Sequence, residues 1–286
     1  MTAPLFISEV SSNHARDLDR CLEFVDASAA SGVDAVKFQL FRIDELFAPE
    51  ILSQSKEHSR RKQWELPEEF LPHIKQRCVE KGVQFSCTPF FLEAVEILAP
   101  MVDFFKIASY ELLWDDLIAA CAKTGVPTIL STGMATLDEI GHAVKCFHDA
   151  GGEDLTLLHC VSGYPVPAEQ CNLSAIDTIR NRFGVRVGWS DHSRSPAVLY
   201  RAIHAYQASI IEFHLDLDER GAEYATGHCW LPEEIAPVIA NVREGFSADG
   251  TGVKVATDAE APDRDWRADP TDGLRPLRTI REGWRP

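Results

Sequence analysis

Eight short apolar segments recur along this 286-residue chain, and segments with helical periodicity lie between them. The apolar segments are almost continuously apolar, which is typical of parallel strands whose sheet is covered on both faces. The predicted strands are Leu5–Val10, Ala35–Gln39, Gln84–Thr88, Phe104–Ala108, Thr128–Ser131, Thr156–Cys160, Val185–Ser190 and Ser209–His214. Eight strand-then-helix units in one chain predict an α/β fold, a closed (β/α)8 TIM barrel.

A doubly wound open sheet is the alternative architecture for alternating strands and helices. Such a sheet usually carries a glycine-rich turn after its first strand. Here the first turn reads EVSSNH, from Glu9 to His14, and contains no glycine. We therefore favour the barrel.

The periodic pattern ends near Ser247, and the residues beyond it are rich in Asp, Gly, Pro and Arg. About forty residues of this composition cannot bury a core of their own. We therefore assign residues 1–247 to the barrel and residues 248–286 to an irregular C-terminal tail without an independent domain. Two connections, Phe41–Trp64 and Leu217–Cys229, are long, and the first is expected to form helical turns over the barrel.

Charge and cysteine usage limit the partners and the compartment. The formal net charge is -16, so neither nucleic acid nor an anionic membrane is expected to bind, although a local pocket for a small anion is possible. The eight cysteines are scattered without a Cys-x-x-Cys pair, which indicates reduced thiols in a cytoplasmic protein. No signal peptide is expected ahead of LFISEV, and no apolar run approaches the ~18 residues of a membrane span.

Two matched tripeptides, SDH and EFH, close the last two predicted strands. Residues i and i+2 of a strand point the same way, so Ser190 shares a face with His192, and Glu212 shares a face with His214. If these strands are neighbours, two imidazoles and a carboxylate meet, and these are usual ligands of Mn²⁺, Fe²⁺ or Zn²⁺. The alternative is two unrelated histidines that bond to the backbone.

Polar residues at the carboxyl ends of barrel strands are candidates for an active site. Lys37 and Lys106 lie inside apolar strands, where an ammonium group is costly unless it is paired or hydrated. Two such lysines favour an anion site over two isolated salt bridges. Neutral donors for the anion are Ser109, Ser131, Ser162 and Ser190. Glu9 ends the first strand and is either a general acid/base or a partner of a lysine; the pattern leaves both roles open.

In these segments the chain resembles the sialic acid synthase family, the N-acetylneuraminate synthases with their pseudaminic and legionaminic acid relatives. The resemblance runs from about Phe6 to Gly245 and rests on ISEVSSNH, AVKFQLF, SCTPF, FKIASYE, GVPTILSTGMAT, LLHCVSGYPVP, GWSDHS and IIEFHLDLD. It implies a TIM-barrel enzyme that condenses phosphoenolpyruvate with an open-chain amino sugar such as N-acetylmannosamine. Such an enzyme releases phosphate and needs Mn²⁺ or Mg²⁺.

The resemblance also implies roles for individual residues. His192 and His214 match the metal ligands, and Glu9 matches the catalytic carboxylate near the attacking water; Glu212 and Lys106 are assigned to catalysis with it. The residues that match the phosphoenolpyruvate site are Lys37, Thr88, Lys106, Ser109, Ser131, Ser162 and Ser190. Gln39, Tyr164 and Glu212 match the surroundings of the sugar. Ser162 stands where some members have an asparagine, and this shorter donor is expected to need a water bridge.

Two departures from the family pattern fall on the sugar side. Family members continue into an antifreeze-like C-terminal domain that covers the partner subunit's site, whereas this sequence ends in a tail rich in Arg and Trp. The usual Gly-Pro-Asp-His after the eighth strand is replaced by GAEYATGHCW, in which Glu223 and His228 are candidates for the role of the sugar-binding aspartate. We expect a homodimer whose tail packs near a barrel mouth or, alternatively, on the barrel's flank.

Other classes of function fit the same pattern. One is a metal-dependent aldolase or hydrolase on this barrel. Another is a non-catalytic sugar-phosphate-binding homologue that needs a partner protein. The fold alone does not distinguish these from a synthase.

Overall fold

The computed structural model describes residues 2–285 and shows eight parallel strands that close into a barrel in chain order. The strands are β1 (Leu5–Glu9), β2 (Ala35–Leu40), β3 (Gln84–Pro89), β4 (Phe104–Ile107), β5 (Thr128–Ser131), β6 (Leu155–Cys160), β7 (Arg186–Asp191) and β8 (Ile210–His214). All eight predicted strands are present at their predicted places. Because β8 pairs with β1, the sheet has no open edge, and the predicted (β/α)8 barrel is confirmed over the doubly wound alternative.

Helices follow the strands. They are α1 (Leu18–Ala30), α2 (Ile43–Leu46), α3 (Pro49–Gln54), α4 (Lys56–Arg60), α5 (Leu71–Lys81), α6 (Leu92–Leu98), α7 (Asp115–Lys123), α8 (Leu137–Asp149), α9 (Ala175–Phe183), α10 (Pro196–Tyr206), α11 (Pro232–Ala248) and α12 (Arg278–Gly283). The helical turns expected in the connection Phe41–Trp64 are α2, α3 and α4. Within residues 2–285, no helix combines the length and the apolar character needed to cross a bilayer.

The inside of the barrel changes from apolar to polar along the strands. Six packed side chains form the apolar layer: Ile7, Ala35, Phe104, Ile129, Leu158 and Ile210. Because side chains on one face of a strand recur every second residue, the next positions on that face are Glu9, Lys37, Lys106, Ser131, Cys160 and Glu212. The polar layer therefore lies toward the carboxyl ends of the strands, where barrel active sites are found.

Strand register brings charged residues side by side at this end. Glu9 of β1 pairs in register with Lys37 of β2 on one side and with His214 of β8 on the other. Ser190 of β7 pairs in register with Glu212 of β8. Strands that are far apart in sequence thus contribute neighbouring side chains to one surface.

Residues from Gly245 onward form a second compact unit. It contains a 3₁₀ helix, Asp258–Trp266, and the ring of Trp266 contacts that of Trp284 edge to face with centroids 5.5 Å apart. The Asp269 carboxylate accepts a hydrogen bond from the backbone N–H of Arg278 at 2.7 Å, which holds the turn before α12. That residues 248–286 lack an independent domain stays a prediction.

Candidate active site at the carboxyl ends of the strands

A pair of buried charges from β1 and β2 lies at the centre of the polar layer. The Lys37 ammonium contacts the Glu9 carboxylate and donates a hydrogen bond to Thr88 Oγ1 at 3.1 Å. Glu9 also accepts a hydrogen bond from the backbone N–H of Ser11 at 2.6 Å. The structure therefore shows the lysine pairing of Glu9, and its role as an acid/base stays a prediction.

Lys106 and Glu212 form a second buried pair. Lys106 Nζ lies 3.4 Å from Glu212 Oε1, which also accepts a hydrogen bond from Ser190 Oγ at 3.2 Å. Burial alone would raise the pKa of Glu212, but the ammonium groups of Lys106 and Lys37 outweigh it and hold that pKa well below its usual range. Glu212 is therefore ionised at neutral pH and accepts hydrogen bonds without donating one.

Unpaired hydroxyl groups lie on the same face of the barrel. Ser131 Oγ and Ser162 Oγ are buried and have no hydrogen-bond partner within residues 2–285. Ser109 Oγ accepts a hydrogen bond from the backbone N–H of Gly133 at 3.0 Å. A Cβ atom on Gly133 would overlap Ser162 Oγ and lie 2.8 Å from Ser109 Oγ, so the three residues surround one small space. Since a buried polar group without a partner costs about 1–3 kcal/mol, this arrangement suits a ligand with several acceptor oxygens.

The two histidines predicted to bind a metal lie together at the ends of β7 and β8. Their ring centroids are 5.3 Å apart, and the ring of Tyr164 packs against both at 4.2 Å from His192 and 6.0 Å from His214. His192 Nδ1 donates to the carbonyl of Val161 at 2.8 Å, and His214 Nδ1 donates to Glu223 Oε2 at 3.0 Å. With each Nδ1 engaged, each Nε2 is left to bind a metal ion, so the donor set fits.

His214 also has the protonation state that a metal ligand requires. Burial lowers the pKa of His214 to about 4, although the neighbouring Glu223 carboxylate opposes that shift. The imidazole is therefore neutral at neutral pH. A neutral imidazole binds a divalent cation without first losing a proton.

The connection after β8 adds possible metal donors, two of which, Glu223 and His228, were predicted only as candidates for sugar binding. The ligand atoms of His214, Glu223, His228 and Cys229 lie within 4.8 Å of one another. The sequence signal that could have indicated these metal donors is the presence of Glu223 and His228 in the segment directly after the strand that ends in His214. That signal does not reveal that the segment folds back beside His214, so neither residue was assigned to the metal.

Gln39 and Tyr164, predicted to contact the sugar, lie at the same end of the barrel. Gln39 of β2 is half-buried and pairs in register with Thr88 of β3. Tyr164 follows β6 and is 40% exposed, so part of its ring is open to a ligand. All the predicted site residues thus lie at the carboxyl ends of the strands, while their individual roles stay predictions.

His14 is a buried imidazole that was not among the predicted site residues. Its Nδ1 accepts a hydrogen bond from the backbone N–H of Arg16 at 3.0 Å, and its Nε2 has no partner within residues 2–285. Burial, reinforced by the nearby Arg16 guanidinium, lowers the pKa of His14 to about 4. The native protein thus resists protonation at this position.

We expect His14 to make the metal-free protein less stable in acid. Between about pH 6.5 and about pH 4 the imidazole of residue 14 is protonated in the unfolded chain but stays neutral in the native protein. The free energy of unfolding therefore falls as the pH falls. The loss from this residue reaches about 3 kcal/mol at about pH 4. Urea unfolding at a series of pH values measures the free energy of unfolding as a function of pH. The slope of that plot should be flatter for His14→Asn than for the parent, and unchanged for the exposed His142→Asn. Equal slopes for His14→Asn and the parent would contradict the prediction.

Fold and site together define the class of protein. It is a (β/α)8-barrel protein with buried lysines, unpaired hydroxyls and an imidazole cluster at the carboxyl ends of the strands, where the active sites of barrel enzymes lie. The chain belongs to the NeuB family, which matches residues 24–254. The resemblance inferred from the sequence motifs is therefore confirmed.

Individual relatives cover most of the chain. It is 37% identical over 261 residues to the uncharacterized protein MJ1065 of Methanocaldococcus jannaschii, covering 90% of this chain and 75% of that one. It is 32% identical over 277 residues to the N,N'-diacetyllegionaminic acid synthase of Campylobacter jejuni, covering 91% and 81%. The crystal structure of an N-acetylneuraminic acid synthetase from Leptospira borgpetersenii, in complex with citrate, matches with a TM-score of 0.80 at 30% identity, covering 92% and 90%.

Proposed function

We propose that this chain is a phosphoenolpyruvate-dependent synthase. It joins phosphoenolpyruvate to an open-chain sugar aldehyde and yields a sialic-acid-like 3-deoxy-2-keto acid and phosphate. The observation that carries the proposal is the set of unpaired buried hydroxyls on the same barrel face as two buried lysines and a pair of histidines. The legionaminic acid synthase and the sialic acid synthetase support the reaction class, and because their products differ they leave the sugar open.

The lysines and hydroxyls bind phosphoenolpyruvate in this proposal. Lys37 and Lys106 supply positive charge to its phosphate and carboxylate, and Thr88 orients Lys37 through their hydrogen bond. The neutral donors to its oxygens are Ser109, Ser131, Ser162 and, once its hydroxyl turns from Glu212 Oε1 to the ligand, Ser190. Hydrogen bonds from the unpaired hydroxyls to phosphate oxygens remove the free-energy cost of leaving these hydroxyls buried without partners.

The proposed chemistry forms two bonds, one carbon–carbon and one carbon–oxygen, and breaks the carbon–oxygen bond to the phosphate. Carbon three of phosphoenolpyruvate attacks the aldehyde carbon, water adds to carbon two, and the bond from carbon two to the phosphate oxygen breaks. Glu9 takes one proton from the attacking water, the aldehyde oxygen gains a proton and becomes a hydroxyl, and the remaining hydroxyl proton at carbon two leaves with the phosphate as the keto group forms. Glu212 keeps Lys106 charged and in place. Buried, fixed charges of this kind act by positioning and by stabilising charge as it develops.

The aldehyde is bound beside the histidines of the proposed site. His192 and His214 would hold one divalent cation, Mn²⁺ or Mg²⁺, which when bound supplies Lewis acidity toward the aldehyde oxygen. Gln39 and the half-exposed ring of Tyr164 contact the sugar. The acidic composition argues against nucleic acid and anionic membranes as partners. The scattered cysteines favour the cytoplasm, and the homodimer rests on the resemblance to the family.

Phosphate release tests the function directly. Purified protein with Mn²⁺ and phosphoenolpyruvate is offered a panel of aldoses that includes N-acetylmannosamine, and release should depend on the aldose. In ¹⁸O-labelled water the label should enter the keto acid and not the phosphate, since carbon–oxygen cleavage is proposed. Label in the phosphate without any aldose would identify a hydrolase instead, and binding without turnover would favour the non-catalytic homologue.

Replacing Gly133 by alanine should weaken phosphoenolpyruvate binding. The added Cβ occupies the space next to Ser162 and Ser109 and turns their hydroxyls away from the ligand. Losing one hydrogen bond to a charged oxygen corresponds to about 1.5–3 kcal/mol, or roughly a tenfold or larger rise in Kd by calorimetry. The control is Gly245→Ala, where the Cβ meets no atom within 4 Å. An unchanged Kd for Gly133→Ala would place the phosphate elsewhere.

A further inference from the structure

Three imidazoles, not two, converge at the ends of β7 and β8. His228 lies in the connection after β8 and is 3% exposed, as is His192. The ring of Tyr164 packs against His228 with centroids 4.9 Å apart, so it contacts all three histidines. The backbone N–H of Trp230 donates to the carbonyl of His214 at 2.8 Å, which returns this connection to the strand and fixes His228 beside it.

The separations of the three rings fit ligation of a single ion. A metal–nitrogen bond of ~2.1 Å puts the centroid of a ligating imidazole roughly 3.2 Å from the metal. When the angle between two such rings at the ion lies between about 90° and about 180°, their centroids are about 4.5–6.4 Å apart. The observed centroid separations are 5.3 Å for His192 and His214, 4.5 Å for His214 and His228, and 6.2 Å for His192 and His228.

The hydrogen bonds of His228 engage the same ring nitrogen as those of the other two histidines. Its Nδ1 lies 2.6 Å from Thr226 Oγ1, just as the Nδ1 atoms of His192 and His214 are engaged by oxygen atoms. Outer-sphere bonds of this kind fix the tautomer and direct Nε2 toward a metal. Glu223 Oε2 bonds His214 Nδ1 and lies 3.5 Å from His228 Nε2, so its carboxylate adjoins two of the three rings.

We propose that His228 is a third protein ligand of the divalent metal, with His192 and His214, and that Glu223 is a positioning residue for this centre. The inference rests on the metal site of the proposed function and changes its donor set. Three neutral nitrogen donors favour Zn²⁺, Co²⁺, Fe²⁺ or Mn²⁺ over Mg²⁺, which prefers oxygen ligands. The centre therefore selects its metal by ligand chemistry.

Direct metal binding tests the third ligand without any substrate. Metal-free full-length protein is titrated with Zn²⁺ against a chromophoric chelator, and with Co²⁺ while its visible absorption is recorded. The parent should bind one ion per chain. His228→Ala removes a ligand and should lower Zn²⁺ affinity by more than about 100-fold. Glu223→Gln removes only an outer-sphere partner and should lower it by ~10–100-fold. The matched control is His142→Ala, at an exposed histidine of α8 that pairs with Asp115 of α7, and it should bind as the parent does.

Two results would overturn the inference. One is a His228→Ala protein with parental Zn²⁺ affinity and an unchanged Co²⁺ spectrum, and the other is a parent that binds neither ion. If circular dichroism shows that His228→Ala is unfolded, His228→Asn keeps a polar side chain there and must show the altered Co²⁺ spectrum. Phosphate release from phosphoenolpyruvate is measured separately. A protein that releases phosphate but binds metal through only two histidines would contradict the third ligand alone, and a protein that binds metal through three histidines but releases no phosphate would contradict the proposed function alone.

Discussion

Replacing Lys106 by methionine is expected to weaken phosphoenolpyruvate binding by roughly 1.5–3 kcal/mol, which is about a tenfold to 150-fold rise in Kd. The Lys106 ammonium is buried, lies 3.4 Å from Glu212 Oε1, and belongs to the proposed anion site. Methionine keeps the length and the apolar stem and removes the charge and its donors. Calorimetric titration with phosphoenolpyruvate measures the change.

The same substitution should also reduce stability, because Glu212 loses a nearby counter-charge while it stays buried. Breaking one partner of a buried ion pair costs about 3–5 kcal/mol in well-studied cases. Lys145→Met is the matched control, since Lys145 pairs with Asp149 on the exposed face of α8. Unchanged phosphoenolpyruvate affinity together with a large loss of stability would show that Lys106 is structural.

Replacing His214 by alanine is expected to remove bound metal and synthase activity together while the barrel stays folded. His214 provides one of the imidazoles in the proposed centre, and it pairs in register with Glu9, which contacts the Lys37 ammonium. We expect metal content to fall from one ion per chain to none detectable, and phosphate release to fall by at least about 100-fold. Elemental analysis and circular dichroism on one preparation measure occupancy and fold.

A double variant makes this expectation decisive. If the protein with both His192 and His214 changed to alanine keeps full metal occupancy and activity, the centre does not lie at the ends of β7 and β8. His142→Ala again serves as control, since that exposed histidine bonds only Asp115 within the described part of the chain. Its metal content and activity should equal those of the parent.

Local sequence pattern was sufficient to predict the barrel. Each of the eight strands is a short apolar run, and such runs followed by helical periodicity have few ways to bury both faces of a sheet. The same pattern located the polar layer. Lys37 and Lys106 interrupt apolar strands two residues after Ala35 and Phe104, and a period of two places each on the same face as the apolar residue before it.

Pairings between distant segments were decided by the tertiary structure. The sequence did not decide whether Glu9 is a general acid/base or the ion-pair partner of a lysine. Local periodicity does not reveal which residue of another strand lies beside the end of a strand. The register of β1 with β2 places Glu9 beside Lys37. Ser131 and Ser162 were predicted from the sequence as donors to an anion, but only the structure shows that their hydroxyls are buried and unpaired.

The connection after β8 shows the limit most clearly. Its residues have no regular period, so nothing in the sequence places Glu223 and His228 beside His214. Leu215 and Trp230 form a parallel bridge that folds the segment back on itself, and this contact brings the extra imidazole and carboxylate to the end of the strand. The sequence alone therefore determined the barrel and the chemical types at its strand ends, since both follow from short-range periodicity. The partners of those side chains depend on long-range closure of the chain, which only the folded structure shows.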